Sequence, residues 1–311
     1  VVGFDPHQLD FDWRFTNTSI NTIMQHVGRL DRLLLIGCPS LMNVAALNIS
    51  NGLLIERNPY HDCCEKFSII RADARYYTAR AKHRNGFDAA IFDAPWYPNE
   101  FLRWADLALS YVHRGGRVLF VLWPESTRPT AKCEHEKILS VLREVGSLEQ
   151  LGRVSYRVPH FEEVSLELNP ASRNFQREGL LFSLQKNIDA PLPKVEFRRS
   201  QNAWRRYQIS GQQLAIKIYP SVKGRAQSSK FEIEPHVLNN TSRRNAELQL
   251  INAWGSNNVV ARLNNPNFLD REIGKLSRGA SSKIGVELLA ELGLFSNEKK
   301  VEWGRTWIHR L

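Results

Sequence analysis

The chain has 311 residues, 42% of them hydrophobic, which is enough for one large domain or two ordinary ones with a filled core. A net charge of +10 and a pI of about 9.6 point to a polyanionic partner, nucleic acid before membrane. No apolar run approaches the ~20 residues of a membrane helix, nothing at the N-terminus resembles a signal peptide, and the four cysteines (Cys38, Cys63, Cys64, Cys133) show neither CxxC nor a histidine at metal-ligand spacing. The expectation is a cytoplasmic protein with reduced thiols, no metal and no membrane contact. Because the chain begins at Val1, a processed or missing start is expected.

Leu9 to Thr16 alternates aromatic and polar residues and reads as an extended segment or edge strand. Thr18 or Ser19 is the expected cap of a helix through Ile20, Ile23 and Val27. This N-terminal piece reads as a lid packing Trp13 and Phe15 on a sheet, or as one that brings Trp13 or Arg14 to a pocket. Arg32–Ile36 is a strong strand that ends in Gly37-Cys38-Pro39-Ser40-Leu41. A helix over Met42–Leu47 and a second strand, Gly52–Ile55, ending at Glu56, follow. Strand, glycine turn, helix, strand and acid make a nucleotide-binding βαβ unit. Gly37 lets the backbone approach a ligand, and an acid in the place of Glu56 accepts from both ribose hydroxyls.

Phe67–Ile70 is the third strand. Asp73, just beyond it, either holds an adenine amino group or caps the next short helix. Phe87–Phe92 is the fourth, and it stops at Asp93-Ala94-Pro95-Trp96-Tyr97-Pro98. Ligands bind beyond the carboxyl ends of such strands. Pro95 stiffens the turn, so a carboxylate, a free carbonyl and a flat ring are presented together. Glu100–His113 is a helix expected to close at Gly115-Gly116. Arg117–Trp123 is the fifth strand, and Lys132–Val145 a further helix. Leu151–Val158 and Gly179–Gln185 read as an antiparallel hairpin at the sheet edge, joined by a long loop, Pro159 to Arg177. Ala190-Pro191-Leu192-Pro193 reads as a linker. Residues 194–311 interleave arginines and lysines (Arg205, Arg206, Lys217, Arg243) with Trp204, Tyr207 and Trp254, a pattern suited to phosphate contact plus base stacking or to an ordinary basic α+β surface. The helix over Ile284–Phe295 reads as core.

These elements describe an α/β chain: a Rossmann-like class I methyltransferase sheet over residues 1–187, with an N-terminal lid, and a smaller basic α+β region over 194–311. Asp93-Ala94-Pro95-Trp96 resembles the Asp/Asn-Pro-Pro-aromatic motif of amino-group methyltransferases that use S-adenosylmethionine. Phe11-Asp12-Trp13-Arg14-Phe15 with Leu35-Ile36-Gly37-Cys38-Pro39-Ser40-Leu41 is similar to the N6-adenine-type branch, which includes the zinc-finger CCHC ribosomal RNA methyltransferase. The resemblance covers about residues 9–185.

It implies that Asp93 and the Ala94 carbonyl accept the two hydrogens of an exocyclic amine, that Pro95 shapes the turn and that Trp96 stacks on the base. It also implies cofactor contacts from Gly37, Cys38, Pro39, Glu56 and Asp73. Trp13, Arg14, Tyr97 and Trp123 are the expected substrate contacts near the crevice, with Arg205 and Arg206 in the second region. Ala94 stands where the family has a first proline, and Cys38-Pro39 where glycine is commoner. Three readings follow: a methyltransferase acting on a nucleic-acid amine, most plainly adenine N6; one acting on protein lysine or a small amine; and an inactive methyltransferase-like subunit that binds nucleic acid or, through 194–311, a protein partner.

Overall fold

Runs of apolar residues bounded by turns, alternating with amphipathic stretches, build the first half of the chain. The computed structural model describes residues 13–57, 64–79, 83–157, 178–195, 203–209, 212–219, 233–237, 251–255, 259–276, 280–294 and 308–310. They fall into two units, one of residues 13–157 with 178–195 and one of the described residues from 203 onward.

In the first unit the elements are β1 (Arg14–Phe15), α1 (Asn17–Val27), β2 (Leu30–Ile36), α2 (Met42–Ala45), β3 (Ile49–Glu56), β4 (Phe67–Arg71), β5 (Phe87–Phe92), α3 (Pro98–Tyr111), β6 (Val112–Leu122), α4 (Ala131–Arg143), β7 (Gly146–Arg157) and β8 (Glu178–Lys186). They form an eight-stranded sheet in the order β1-β7-β8-β6-β5-β2-β3-β4. Strands β2 to β6 pair in parallel, whereas β8 is antiparallel to both β6 and β7. The strand order reverses between β2 and β5, which makes a topological switch point. The insertion of β8 between β6 and β7 gives the expected Rossmann-like class I methyltransferase sheet and not a dinucleotide-binding one.

Side chains alternate across the sheet. Leu34, Ile36, Leu53, Ile55, Ala90 and Phe92 pack with α3 and α4 on one face. Leu33, Leu35, Leu54, Ala89 and Ile91 pack with α1 and α2 on the other. Burial on both faces explains the continuous Leu and Ile runs of β2 and β3.

Several boundaries differ from the sequence reading. Thr16, not Thr18 or Ser19, caps α1, its side chain accepting from the Ser19 N–H at 3.3 Å. The Gly115-Gly116 pair does not close α3, because β6 begins at Val112. Gly116 is needed where β6 approaches β5, since a Cβ there would lie 2.6 Å from the Asp88 carbonyl oxygen. The end of α3 is closed instead by buried Lys186, whose Nζ donates to the Leu109 and Val112 carbonyls at 2.8 Å each. The β7–β8 hairpin is as expected, but β8 lies inside the sheet. The 190–193 stretch is packed and not a free linker: Leu192 is buried, and its N–H donates to Asp106. The loop from Pro159 to Arg177 lies outside the described residues.

The second unit contains β9 (Ala203–Ile209), β10 (Gln212–Ile218), β11 (Ile233–Val237), β12 (Ala253–Gly255), β13 (Val259–Leu263), α5 (Pro266–Leu276), α6 (Lys283–Glu291) and β14 (Ile308–Arg310). Its antiparallel sheet runs β11-β13-β12-β10-β9-β14. Leu214, Ile216 and Leu263 pack against Leu269, Ile273 and Leu288 of the two helices. This is the smaller α+β region expected from the sequence.

Candidate functional site

Three parallel strands end side by side at the switch point. Gly37 follows β2, Glu56 ends β3 and Asp93 follows β5. Alternation places Glu56 on the face of Leu54, and Asp93 on the face of Ile91. The Asp93 N–H donates to the Ile36 carbonyl at 3.4 Å, which carries the β5–β2 pairing one residue beyond the strand. Pro95 then breaks the ladder, a tight turn forms as the Tyr97 N–H bonds to the Pro95 carbonyl at 2.6 Å, and Pro98 opens α3.

The Asp93 carboxyl lies among aromatic rings. The Tyr156 hydroxyl, at the end of β7, donates to Asp93 Oδ1 at 2.8 Å. Phe15 stacks on the Tyr156 ring at 5.0 Å, and Trp13 and Trp96 each meet it edge-on at 6.1 Å. Burial pushes the Asp93 carboxyl up to about 7, against the opposing pull of the Tyr156 hydroxyl and the Arg14 guanidinium. Trp96 is half-buried and touches both apolar cores, while Ala94 is buried.

Cys38 is buried beside this carboxyl. Its thiol bonds to the Ile36 carbonyl oxygen at 3.0 Å, and burial, then the charges of Asp93 and Glu56, push it well up, so it stays neutral. Pro39 starts a short 3₁₀ turn, Pro39–Leu41. Gly37 has φ +66°, and a Cβ there would fall 2.5 Å from the Trp104 ring. Helix α3 rests on this glycine, so its first role is packing, where the sequence reading assigned it to the approach of a ligand.

Glu56 is buried at 4% exposure. Asp73 is already well supplied with donors. Its Oδ1 accepts from the Arg75 N–H and Nε at 3.0 Å each, and its Oδ2 accepts from Arg75 Nη2 at 2.6 Å. Although burial pushes it up, the hydrogen bonds and charge of Arg75, then the charge of Arg57, hold its carboxyl below the ordinary value. A carboxylate accepts about four hydrogen bonds, so among the described residues one acceptor position is left, on Oδ2, which also faces the Arg57 guanidinium at 3.7 Å.

One expected substrate contact, Trp123, is placed in the core, and another, Arg205, is engaged by a buried carboxylate in the second region where it was expected. Trp123 is fully buried, with the Phe101 ring 6.3 Å and the His135 ring 5.3 Å away and the Arg128 guanidinium 4.6 Å over its face. It is a core residue because β6 continues inward to Leu122, and no ring face is left for a substrate. Arg205 lies in the second unit and is ion-paired to buried Asp270, which also accepts from the Tyr207 hydroxyl. The side chain of Arg206 lies outside the described residues. Tyr97 is partly buried at the start of α3. The site therefore joins Asp93, Trp96, Cys38, Trp13 and Arg14, with Gly37 and Glu56 on the adjoining strand ends. The sequence reading missed Tyr156, which carries no local signal beyond its place in an apolar alternation.

No family model and no curated protein matches this sequence. Among solved structures the chain is similar to the branched-chain polyamine synthase C9 mutein from Thermus thermophilus in complex with N4-aminopropylspermidine and 5'-methylthioadenosine, with 13% identity over 63% of this chain and 64% of that one and a TM-score of 0.48. This match spans less than two thirds of that protein's own length. The N-methyltransferase NodS from Bradyrhizobium japonicum WM9 matches with 14% identity, 55% of this chain, 94% of that one and a TM-score of 0.37. A dimethyladenosine transferase from Plasmodium falciparum matches with 10% identity, 56% of this chain, 63% of that one and a TM-score of 0.38. These are likenesses of fold.

Proposed function

We propose that the first unit is an S-adenosylmethionine-dependent N-methyltransferase acting on the exocyclic amine of a nucleic-acid base, adenine N6 before others. The observation that carries this reading is the partly buried Asp93 carboxyl at the switch point, held by Tyr156, bordered by Trp96 and faced by Arg14. The residues present suit a nucleoside cofactor: Glu56 is a buried carboxylate at the end of β3, where an acid can accept from ribose hydroxyls, and Asp73 is a carboxylate just beyond β4, where it can accept from an adenine amine. When bound, the cofactor supplies an electrophilic methyl group.

The chain supplies alignment and charge. Asp93 and the Ala94 carbonyl accept the two amine hydrogens, and both acceptors favour positive charge as it develops on nitrogen. Trp96 stacks on the base, worth about 1–3 kcal/mol. Arg14 makes the site a poor host for a lysine ammonium and a better one for a neutral aromatic amine attached to phosphates. The second unit, with Trp204 and Lys217 on neighbouring strands, serves in this reading to hold the polymer.

Transfer of tritiated methyl to RNA, DNA and protein tests the acceptor. Incorporation into nucleic acid, lost in Asp93→Ala, is the expected result; label found only in protein lysine overturns the choice of substrate. In calorimetry Glu56→Ala should weaken S-adenosylmethionine binding about 10- to 150-fold without unfolding the chain. Equal affinity for mutant and parent would remove Glu56 from the cofactor site.

A further inference from the structure

We propose that Tyr156 is a positioning residue, one phenol that holds the Asp93 carboxyl and the Trp96 ring in fixed relation so that the amine and the plane of its base are presented together. This rests on reading Asp93 to Trp96 as the methyl-transfer site. Tyr156 belongs to β7, and two strands, β8 and β6, separate it from β5. It still reaches Asp93 Oδ1 at 2.8 Å. The crossing passes Gly179 of β8, where a Cβ would be in ordinary contact with the Tyr156 hydroxyl at 3.5 Å; what that glycine makes room for is Val121, 2.2 Å from the same point.

The ring is fixed from several sides. Phe15 pairs with Tyr156 across the β1–β7 ladder and stacks on it. The preceding residue is tied at both backbone groups, the Ser155 N–H to Ser19 Oγ at 2.6 Å and its carbonyl to the Thr16 N–H at 3.0 Å. Trp96 meets the ring edge at 6.1 Å. The chain of contacts therefore runs from Trp96 through Tyr156 to Asp93, joining the two side chains that the reaction needs in register.

Occupation of Oδ1 leaves Oδ2 for the amine. A donor to the carboxylate also favours its charged form against burial. The other charged or titratable groups acting on Asp93 are Arg14 from β1 and the Cys38 thiol after β2, with Glu56 of β3 acting on Cys38. Phenol and carboxyl act on each other, since burial and then the Asp93 charge push the Tyr156 hydroxyl well up.

The test is a carbon-13 titration of aspartate carboxyls in the full chain, with Asp93→Asn identifying the signal. Tyr156→Phe keeps the ring stack and removes only the hydroxyl. The Asp93 titration should move up by about 1–2 pH units, the loss of one hydrogen bond to a charged group. The acid limb of the methyl-transfer rate should move with it, with the KM for S-adenosylmethionine within twofold of parent. An unmoved titration in an active enzyme overturns the role of Tyr156 alone. A moved titration with no transfer by any variant overturns the methyl-transfer reading, and the role with it. Should Tyr156→Phe fail to fold, absorbance titration of the tyrosines in Asp93→Asn decides: one tyrosine ionising at lower pH than in the parent supports the proposal, and an unchanged titration overturns it.

Discussion

Asp93 is costly to the fold in which it sits. An unfolded aspartate titrates near 3.8, whereas this one is pushed up to about 7 by burial. Between those values the folded chain binds the proton and the unfolded chain does not, so folding stability falls as pH rises through that window and levels off above it. The unit conversion gives up to about 4 kcal/mol across the window. Asp93→Asn removes the partly desolvated charge and keeps an acceptor for Tyr156. Denaturant unfolding should find it more stable than the parent at pH 7.5 by up to that amount, with the gap closing as pH falls toward 4. A gap independent of pH would mean that the carboxyl titrates normally. Such a cost fits a site where function takes precedence over stability. The positions of Glu56 at the end of β3 and of Asp93 and Trp96 just beyond β5 were legible in the sequence, because each closes an apolar run. Tyr156 was not, because its partner is 63 residues away and nothing local marks the pair.

At the scale of elements, the parallel strands were readable for a physical reason: a strand buried on both faces has an unbroken apolar run. Connections made across the sheet were not readable. The place of β8 between β6 and β7, the closure of α3 by Lys186 and the packing of Leu192 all depend on residues that meet only after folding. The turn after β2 is a tight joint of this kind. Gly37 combines a positive φ with a Trp104 ring where its Cβ would be. Gly37→Ala should therefore lose about 2–5 kcal/mol in denaturant unfolding, part from the left-handed backbone and part from overpacking. Combining it with Trp104→Leu should recover less than the packing part of that loss, because Leu fills less of the core. Full recovery would show that the backbone carries no strain.

For the whole molecule, the charge of +10 sets the expectation that binding to single-stranded nucleic acid falls steeply with salt, with a log–log slope near −0.7 for each phosphate neutralised. Arg205 is a poor probe of this, since removing it strips the partner from buried Asp270. Lys217 and Trp204 are better. Lys217→Ala should make the slope shallower by about 0.7, while Trp204→Ala should weaken binding and leave the slope unchanged. Equal slopes for Lys217→Ala and parent would take Lys217 off the phosphate path. The pairing of β1 with β7 bears also on how the chain is made. Asn17, just after β1, and Arg157, at the end of β7, form a side-chain hydrogen bond although 140 residues separate them. At ribosomal speeds of about 5–20 residues per second, β1 leaves the ribosome roughly 7–28 seconds before the strand it joins. A two-residue strand offers little edge to a wrong partner during that wait. The ring of Trp13, Phe15, Trp96 and Tyr156 can close around Asp93 only when the seventh strand arrives, so the proposed site is completed late in synthesis.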